Sequence, residues 1–246
     1  MTNSVTFGTH AVLALLGNRP DKVARLLIQQ GKQDKHIAAM VALAKEHDID
    51  IQYVEKNRLE QLSQEGNHQG VLVEHIKTAL YQENDLKQLV EAAGKNALFL
   101  ILDGVQDPHN LGACLRSADA FGVQAVIIPK DKSVGLTPTV GKVASGALES
   151  VPVIQVTNLA RTITQLKEAG IWVYGAHDAA DHTLYEVSLK GPLAVVLGAE
   201  GAGLRRLTRE LCDGLISIPM QGVVSSLNVS VATGIFLFEV TRQRVC

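Results

Sequence analysis

The sequence has little of what marks a membrane or secreted protein. Its longest apolar runs, such as residues 97–102 and 193–197, fall far short of the roughly 20 residues that span a bilayer. The N-terminus opens with Met1-Thr2-Asn3-Ser4 and has no basic stretch leading into an apolar segment. Nothing therefore marks the chain for secretion, and we expect no membrane segment and a cytoplasmic location.

Cysteine is also scarce. The three cysteines, Cys114, Cys212 and Cys246, lie far apart and are odd in number. This pattern argues against a disulfide framework and against a metal site built from paired cysteines. We expect reduced thiols that fill apolar space, and no metal.

Positive charge is not in excess, because the formal net charge is -2. Nonspecific binding to nucleic-acid phosphates normally shows as a basic excess, so any RNA-binding surface must be a local patch. Aromatic residues make up only 4% of the chain, which leaves few platforms for base stacking. Clusters of basic residues are more often solvated helix faces than binding sites. The candidates are Arg205, Arg206 and Arg209; Lys130, Lys132 and Lys142; and Arg19, Lys22, Arg25, Lys32 and Lys35.

The patterning predicts two domains of the α/β class. Residues 1–76 form a small domain, with helices at 10–16 and 34–46 and strands at 25–28 and near Ile51 and Val71. Residues 77–95 gain Gln, Glu, Asn and Asp and form a linker or a short docking helix. Residues 96–246 form the second domain.

In the second domain, continuous apolar strands alternate with helices, which indicates a parallel sheet covered on both faces. Ligands of such sheets bind outside the carboxyl ends of the strands, so the residues just after each strand matter most. The predicted strands are 98–103, 125–128, 171–174, 193–198 and 215–218, and the predicted helices are 110–121, 140–148, 205–212 and 228–240.

The first loop of interest follows strand 98–103 and leads into a helix. Asn110 is placed to cap this helix, which is an alternative to a role in a site. Leu111, Leu115 and Ala118 make an apolar stripe, and Arg116 points roughly 150° away from its centre. Arg116 is therefore not a core residue, and it either faces solvent or reaches a ligand.

Two further loops follow apolar strands. In the loop 198–204, three glycines allow close approach of a ligand, but their order is neither the dinucleotide fingerprint nor a P-loop. Its carboxylate, Glu200, needs a partner unless it is simply exposed in a turn. The loop 218–228 contains Ser226 and Asn228, which are also ordinary N-cap residues. The five polar residues Asn110, Arg116, Glu200, Ser226 and Asn228 contain no metal-ligand cluster, Cys/His pair or Ser/His/Asp pattern.

These three segments resemble the three motifs of the SpoU/TrmH family of RNA 2'-O-methyltransferases, in the same order and at suitable spacing. They are residues 107–112 with Arg116, residues 198–204, and residues 218–220 with 226–230. The first domain is similar to the family's L30e-like RNA-binding module, including His68-Gln69-Gly70 before its last strand. The resemblance is strongest to members that methylate a guanosine ribose of 23S rRNA in the peptidyl-transferase region.

The resemblance implies a parallel-sheet domain with a deep trefoil knot, a homodimer, and S-adenosylmethionine as cofactor without a metal. Cofactor contacts would come from Gly198, Ile218, Met220 and Leu227. Arg116 would activate the 2'-hydroxyl, either as a transiently neutral base or as a cation that stabilises the developing alkoxide. The residues that hold it and the ribose phosphate would be Asn110, Glu200, Ser226 and Asn228.

Two other classes of function stay open from the sequence. A noncatalytic RNA-binding protein could keep the same fold as a scaffold. A nucleotide-dependent metabolic enzyme would explain the glycine turns and the absent basic excess. A separate first domain with its own basic residues argues against the metabolic enzyme, because a small substrate needs no second platform.

Overall fold

The computed structural model describes residues 3–63, 66–76 and 81–245. The chain divides into two compact units. The first consists of Met1–Ala79 with Ser145–Ser150, and the second of Leu80–Ala144 with Val151–Cys246.

The first unit contains a four-stranded sheet with helices. Its elements are β1 (Asn3–Phe7), α1 (Thr9–Asn18), β2 (Val23–Gln29), α2 (Lys35–Glu46), β3 (Asp50–Val54), α3 (Lys56–Leu62) and β4 (Val71–Ile76). The strand order is β1-β4-β2-β3, with β2 and β3 parallel and the other pairs antiparallel. One face of the sheet packs against α1 and α2 through buried residues such as Leu15 and Met40, and α3 contributes Leu59 to a smaller cluster with Leu27 and Leu72.

The second unit is built on a seven-stranded sheet. Its elements begin with α4 (Leu86–Ala93), β5 (Leu98–Asp103), α5 (Pro108–Ala120), β6 (Ala125–Pro129) and α6 (Pro138–Ala144). The next helix, α7 (Ala147–Ser150), groups with the first unit. The second unit continues with β7 (Val153–Val156), α8 (Leu159–Glu168), β8 (Trp172–Ala176), β9 (His182–Thr183), β10 (Leu193–Gly198), α9 (Arg206–Leu211), β11 (Gly214–Ser217) and α10 (Val229–Val245).

The predicted parallel sheet is confirmed. The strand order is β7-β6-β5-β10-β8-β11-β9, and every registered pair is parallel. β5 and β10 are central neighbours, and Leu98 to Leu102 and Leu193 to Leu197 are at most 2% exposed. Burial on both faces explains why residues 98–102 and 193–197 are apolar at every position.

The segment 77–95 was predicted as a linker or a short docking helix, and residues 77–80 of it lie outside the described residues. The rest contains the helix α4, whose Leu86 is buried in the core of the second unit, as the second alternative predicted. Other local predictions differ from the structure. The single helix predicted at 140–148 is two helices, because Ser145 and Gly146 have φ of 52° and 97°. Helix α5 begins at Pro108 and not at Asn110. β1, α3, β7, α8 and β9 had no counterpart in the prediction.

Among the described helices, none is both long and apolar enough to cross a membrane. Cys114 is buried, Cys212 is half-buried, and both are free thiols, as predicted. Burial raises the pKa of Cys114 to about 11 and that of Cys212 to about 12. Cys246 lies outside the described residues.

Candidate active site

Three of the predicted site residues form a closed hydrogen-bonded group at the carboxyl edge of the large sheet. Asn110 Nδ2 donates to Glu200 Oε1 at 2.8 Å. Asn228 Nδ2 donates to the same Glu200 oxygen at 2.5 Å and to Asn110 Oδ1 at 3.0 Å. The loops after β5, β10 and β11 therefore meet, as the parallel sheet predicted.

Helix α5 holds Asn110 in this group. Asn110 is only 9% exposed and lies in the first turn of α5. It does not cap that helix, because Asp107 Oδ1 accepts from His109 N at 2.9 Å. Proline favours the first helical position, so Pro108 moves the helix start and the cap toward the N-terminus. The capping alternative for Asn110 is therefore wrong.

Asn228 both caps a helix and belongs to the polar group. Its Oδ1 accepts from Ser230 N at 2.9 Å and from Ser230 Oγ at 2.6 Å, at the start of α10. The amide group is thereby oriented so that Nδ2 points to Asn110 and Glu200. Glu200 itself is exposed, and the described residues give its second carboxylate oxygen no hydrogen-bond partner. That oxygen is left as an acceptor for a ligand.

The structure does not bring Arg116 and Ser226 into this group. Leu111, Leu115 and Ala118 are buried and Arg116 is exposed, as the apolar stripe predicted. Arg116 follows Asn110 by six residues on α5, which places it about 9 Å further along the helix axis. Within the described part of the chain, neither Arg116 nor Ser226 has a hydrogen bond or an ion pair.

A buried carboxylate that sequence reasoning overlooked ties two of the loops together. Asp103 ends β5, and its Oδ2 accepts from Arg205 N at 3.0 Å. Arg205 Nε lies 3.2 Å from Asp103 Oδ1 in an ion pair that lacks hydrogen-bond alignment. The signal in the sequence was a charged residue closing an otherwise apolar strand. Arg205 was predicted only as part of a basic patch.

The backbone after β10 folds tightly on itself at Gly198. Ala199 and Gly203 exchange two backbone hydrogen bonds, and Gly201 and Gly203 have φ of 73° and 64°. A Cβ at Gly198 would lie 2.0 Å from the carbonyl carbon of Gly203. Only glycine fits there, because the loop's own backbone at Gly203 fills the space that a side chain would take.

The other predicted cofactor residues lie on the loop after β11. Ile218, Met220 and Leu227 are half-buried, whereas Ser226 is exposed. β8 lies between β10 and β11, so the two loops leave the sheet about 10 Å apart, two strand spacings. Glycine backbone on one side and apolar side chains on the other suit a flat, uncharged ring system such as adenine.

Two family models match this chain, one in each of its two units. The SpoU rRNA Methylase family model matches residues 97–238, and the model described as RNA 2'-O ribose methyltransferase substrate binding matches residues 5–78. The chain is 52% identical over 240 residues to the 23S rRNA (guanosine-2'-O-)-methyltransferase RlmB of Shewanella oneidensis, covering 98% of this chain and 97% of that protein.

A second relative has a similar identity to this chain, and one solved structure has a similar fold. The RlmB of Escherichia coli K12 is 53% identical over 242 residues, covering 98% of this chain and 99% of that protein. The crystal structure of the SpoU methyltransferase AviRb from Streptomyces viridochromogenes, in complex with AdoMet, has a TM-score of 0.76 at 23% identity. The match covers 99% of this chain and 91% of the other. At that identity, the likeness shows the fold alone.

Proposed function

This chain belongs to the SpoU rRNA methylase family, and we propose that it methylates the 2'-hydroxyl of a guanosine ribose in 23S rRNA, using S-adenosylmethionine. The Asn110, Glu200 and Asn228 group carries the proposal, because it places an anchored carboxylate and two amides at the carboxyl edge of the sheet. The near full-length identity to two RlmB proteins supports guanosine and 23S rRNA as the target. A ribosomal substrate implies action in the cytoplasm.

The candidate cofactor residues fit S-adenosylmethionine. The backbone at Gly198 and the apolar side chains of Ile218, Met220 and Leu227 would hold it, with the adenine against the apolar group. When bound, the cofactor supplies an electrophilic methyl group on a sulfonium, so the protein must position the hydroxyl and help it lose its proton. This chemistry requires no metal.

We assign Arg116 to the reacting ribose. A guanidinium stays protonated in proteins, so Arg116 acts as a cation that orients the phosphate and stabilises the developing alkoxide. Its exposure and its freedom from protein partners within the described residues leave its donors available for RNA. Asn110, Glu200, Ser226 and Asn228 would complete the polar surface that receives the ribose and phosphate.

The chain order of the sheet supports a trefoil knot. β10 is inserted between β5 and β8, both of which precede it in the chain. α10 then returns to pack against α5, where Cys114 Sγ and Thr233 Oγ1 are 3.3 Å apart. We propose that this return threads the C-terminal segment through the earlier loops. Residues 96–246 would form this knotted domain, residues 1–76 an L30e-like RNA-binding domain, and residues 77–95 the connection.

A stripe on α10 supports a homodimer. Val231, Phe238 and Val245 follow one another at seven-residue intervals, and they are 50%, 56% and 82% exposed. Residues seven apart lie on nearly the same line of a helix, so the three form an apolar ridge about 21 Å long. We propose that a second copy of the chain covers this ridge.

Transfer of labelled methyl from S-adenosylmethionine to 23S rRNA that lacks its native 2'-O-methylations tests the function. We expect incorporation at one guanosine ribose by the wild type and none by Arg116→Ala. Cofactor binding without incorporation, into naked or ribosome-associated rRNA, would remove the 23S rRNA assignment. No cofactor binding in calorimetry would favour a noncatalytic RNA-binding protein.

A further inference from the structure

The loops after β5, β6 and β10 meet at the guanidinium of Arg205. Its Nη2 donates to Asp131 O, in the loop after β6, at 3.4 Å. A Cβ at Gly104, which follows β5, would lie 3.3 Å from the same Nη2 and 3.4 Å from Lys132 O. Arg205 itself ends the loop that follows β10. The guanidinium therefore lies over the carboxyl ends of β5 and β6, although its backbone belongs to the loop after β10.

The positive charge of Arg205 is held in place by a buried carboxylate. The Asp103 side chain is 0% exposed, and its Oδ1 lies 3.2 Å from Arg205 Nε. The Arg205 side chain is 42% exposed, and the described residues give its Nη1 no hydrogen-bond partner. Arginine donates from a planar fork that suits phosphate, and an anchored side chain loses little freedom when it binds. Arg205 is therefore preorganised to bind an anion through Nη1.

Two lysines lie on the loop that Arg205 contacts. Lys130 and Lys132 are both exposed, and neither forms an ion pair within the part of the chain that the structure describes. The backbone of their loop is fixed to the loop after β5, because Val134 N donates to Val105 O at 2.9 Å. The two lysines thus stand at defined positions beside a third positive charge.

The strand order separates this basic surface from the candidate cofactor residues. Along the sheet the order is β6-β5-β10-β8-β11. The contacts of Arg205 lie after β5 and β6, whereas the cofactor residues lie after β10 and β11, in the opposite direction from β10. β6 is two strand spacings, about 10 Å, from β10. The surface is thus placed for a ligand other than the cofactor.

We propose that Arg205, Lys130 and Lys132 bind RNA phosphates next to the reacting guanosine. The polar group of Asn110 and Glu200 lies at the ends of β5 and β10, so an RNA strand that continues from it toward β6 meets these three cations. Contacts to phosphates fix the register of a nucleic acid on a protein without reading its sequence. This inference rests on the proposed function, and it assigns the contacts that align the target ribose to the second unit.

Three variants of the full-length chain test the proposal. Arg205→Ala removes the guanidinium, Arg205→Lys keeps the charge without the fork, and Lys130→Ala with Lys132→Ala removes the two lysines. The matched control is Lys95→Ala with Lys190→Ala. Both control residues are exposed and precede β5 and β10, so they lie at the opposite edge of the same sheet. The measurements are the Kd for a 23S rRNA transcript at several salt concentrations, and KM and kcat for methyl transfer to it.

We expect Arg205→Ala to raise the Kd and the KM for RNA about tenfold, because it removes a charged hydrogen bond. The value of kcat should not change, since a phosphate contact is the same in the ground state and the transition state. The slope of log K against log salt should fall by about 0.7 to 0.9 for Arg205→Ala and by about twice as much for the lysine variant. Arg205→Lys should restore the slope but only part of the affinity. The control should match the wild type.

A fourth variant changes affinity in the other direction. Asp131 is an exposed acid between the two lysines, and only its backbone carbonyl contacts Arg205. Asp131→Asn keeps that carbonyl and removes a negative charge, so the Kd for RNA should fall about twofold at low salt. A purely structural role for Arg205 predicts no such gain. The lysine variant and Asp131→Asn also leave the pair with Asp103 intact, so they decide the proposal even if Arg205→Ala does not fold.

The remaining outcomes separate the possible ligands. A wild-type Kd and salt slope in the lysine variant would overturn the proposal. A higher Kd for S-adenosylmethionine in Arg205→Ala, with unchanged RNA binding, would overturn it in favour of the cofactor carboxylate. A wild type that binds the transcript without methylating it would refute the proposed function, and the Kd values of the variants would still decide whether this surface binds phosphate.

Discussion

The buried carboxylate of Asp103 contacts Arg205 at two points, through the backbone amide and through the guanidinium. The Asp103 side chain is 0% exposed and that of Arg205 is 42% exposed. Asp103 precedes the loop that leads to Asn110, and Arg205 follows the loop that carries Glu200. This pair therefore fixes the relative position of the two loops from which the polar group is built.

Asp103→Asn should loosen this connection. Asparagine keeps an oxygen for Arg205 N but loses the charge, so we expect the free energy of unfolding to fall by about 1 to 3 kcal/mol. The control is Arg206→Ala, whose pair with Glu210 is 79% and 50% exposed and should contribute less than about 0.5 kcal/mol. Urea unfolding measures both. Equal stability of the two variants would mean that Asp103 has no special part in joining the loops.

Arg116 should matter for activity and not for stability. Arg116→Ala removes an exposed side chain without partners in the described structure, so its free energy of unfolding should stay within about 0.5 kcal/mol of the wild type. Methyl transfer should fall by about 100-fold or more. Arg116→Lys keeps the charge but loses the planar fork, and we expect it to recover little of the rate. A wild-type rate in Arg116→Lys would contradict a guanidinium-specific role.

The sequence predicted best where burial is complete. The predicted bounds of β5 and β10 agree with the structure, because apolar runs that are buried on both faces end at Asp103 and Gly198. α3 was missed because its polar sequence buries only Leu59. The sequence also predicted that the three site loops meet, because the carboxyl ends of parallel strands lie at the same edge of a sheet. The hydrogen bonds that join Asn110, Glu200 and Asn228 depend on side-chain geometry, which spacing along the chain does not determine.

Gly198→Ala should abolish cofactor binding. The added Cβ would lie 2.0 Å from the Gly203 carbonyl carbon, so the backbone of the loop must move. Gly222→Ala is the matched control, because a Cβ there meets nothing within 4 Å and the residue is on the other cofactor loop. Calorimetry with S-adenosylmethionine should show normal binding for Gly222→Ala and none for Gly198→Ala. Normal binding by both would exclude this backbone segment from the cofactor site.

Glu239 on α10 should make the protein sensitive to acid. Hydrogen bonds from Arg242 lower the pKa of Glu239 from 4.5 to about 2. A carboxylate whose pKa is lowered in the folded state stabilises the fold at pH values above its ordinary pKa. That contribution is lost as the pH falls toward the pKa of the group in the folded state. The free energy of unfolding should therefore decline between about pH 4.5 and 2. Glu239→Gln should flatten this decline, and an unchanged pH profile would contradict the assignment.

The apolar ridge on α10 gives the proposed homodimer a direct test. Val231→Lys combined with Val245→Lys places charge at both ends of the ridge, where the native side chains are 50% and 82% exposed. Burying unpaired charge in an interface is costly, so we expect the variant to be a monomer where the wild type is a dimer. Tyr185→Lys, at an apolar residue that is 75% exposed outside α10, should leave the dimer intact. Sedimentation equilibrium measures the mass of each variant. A dimer that survives the double substitution would place the interface elsewhere on the chain, and dissociation by Tyr185→Lys would indicate a wider surface than the ridge.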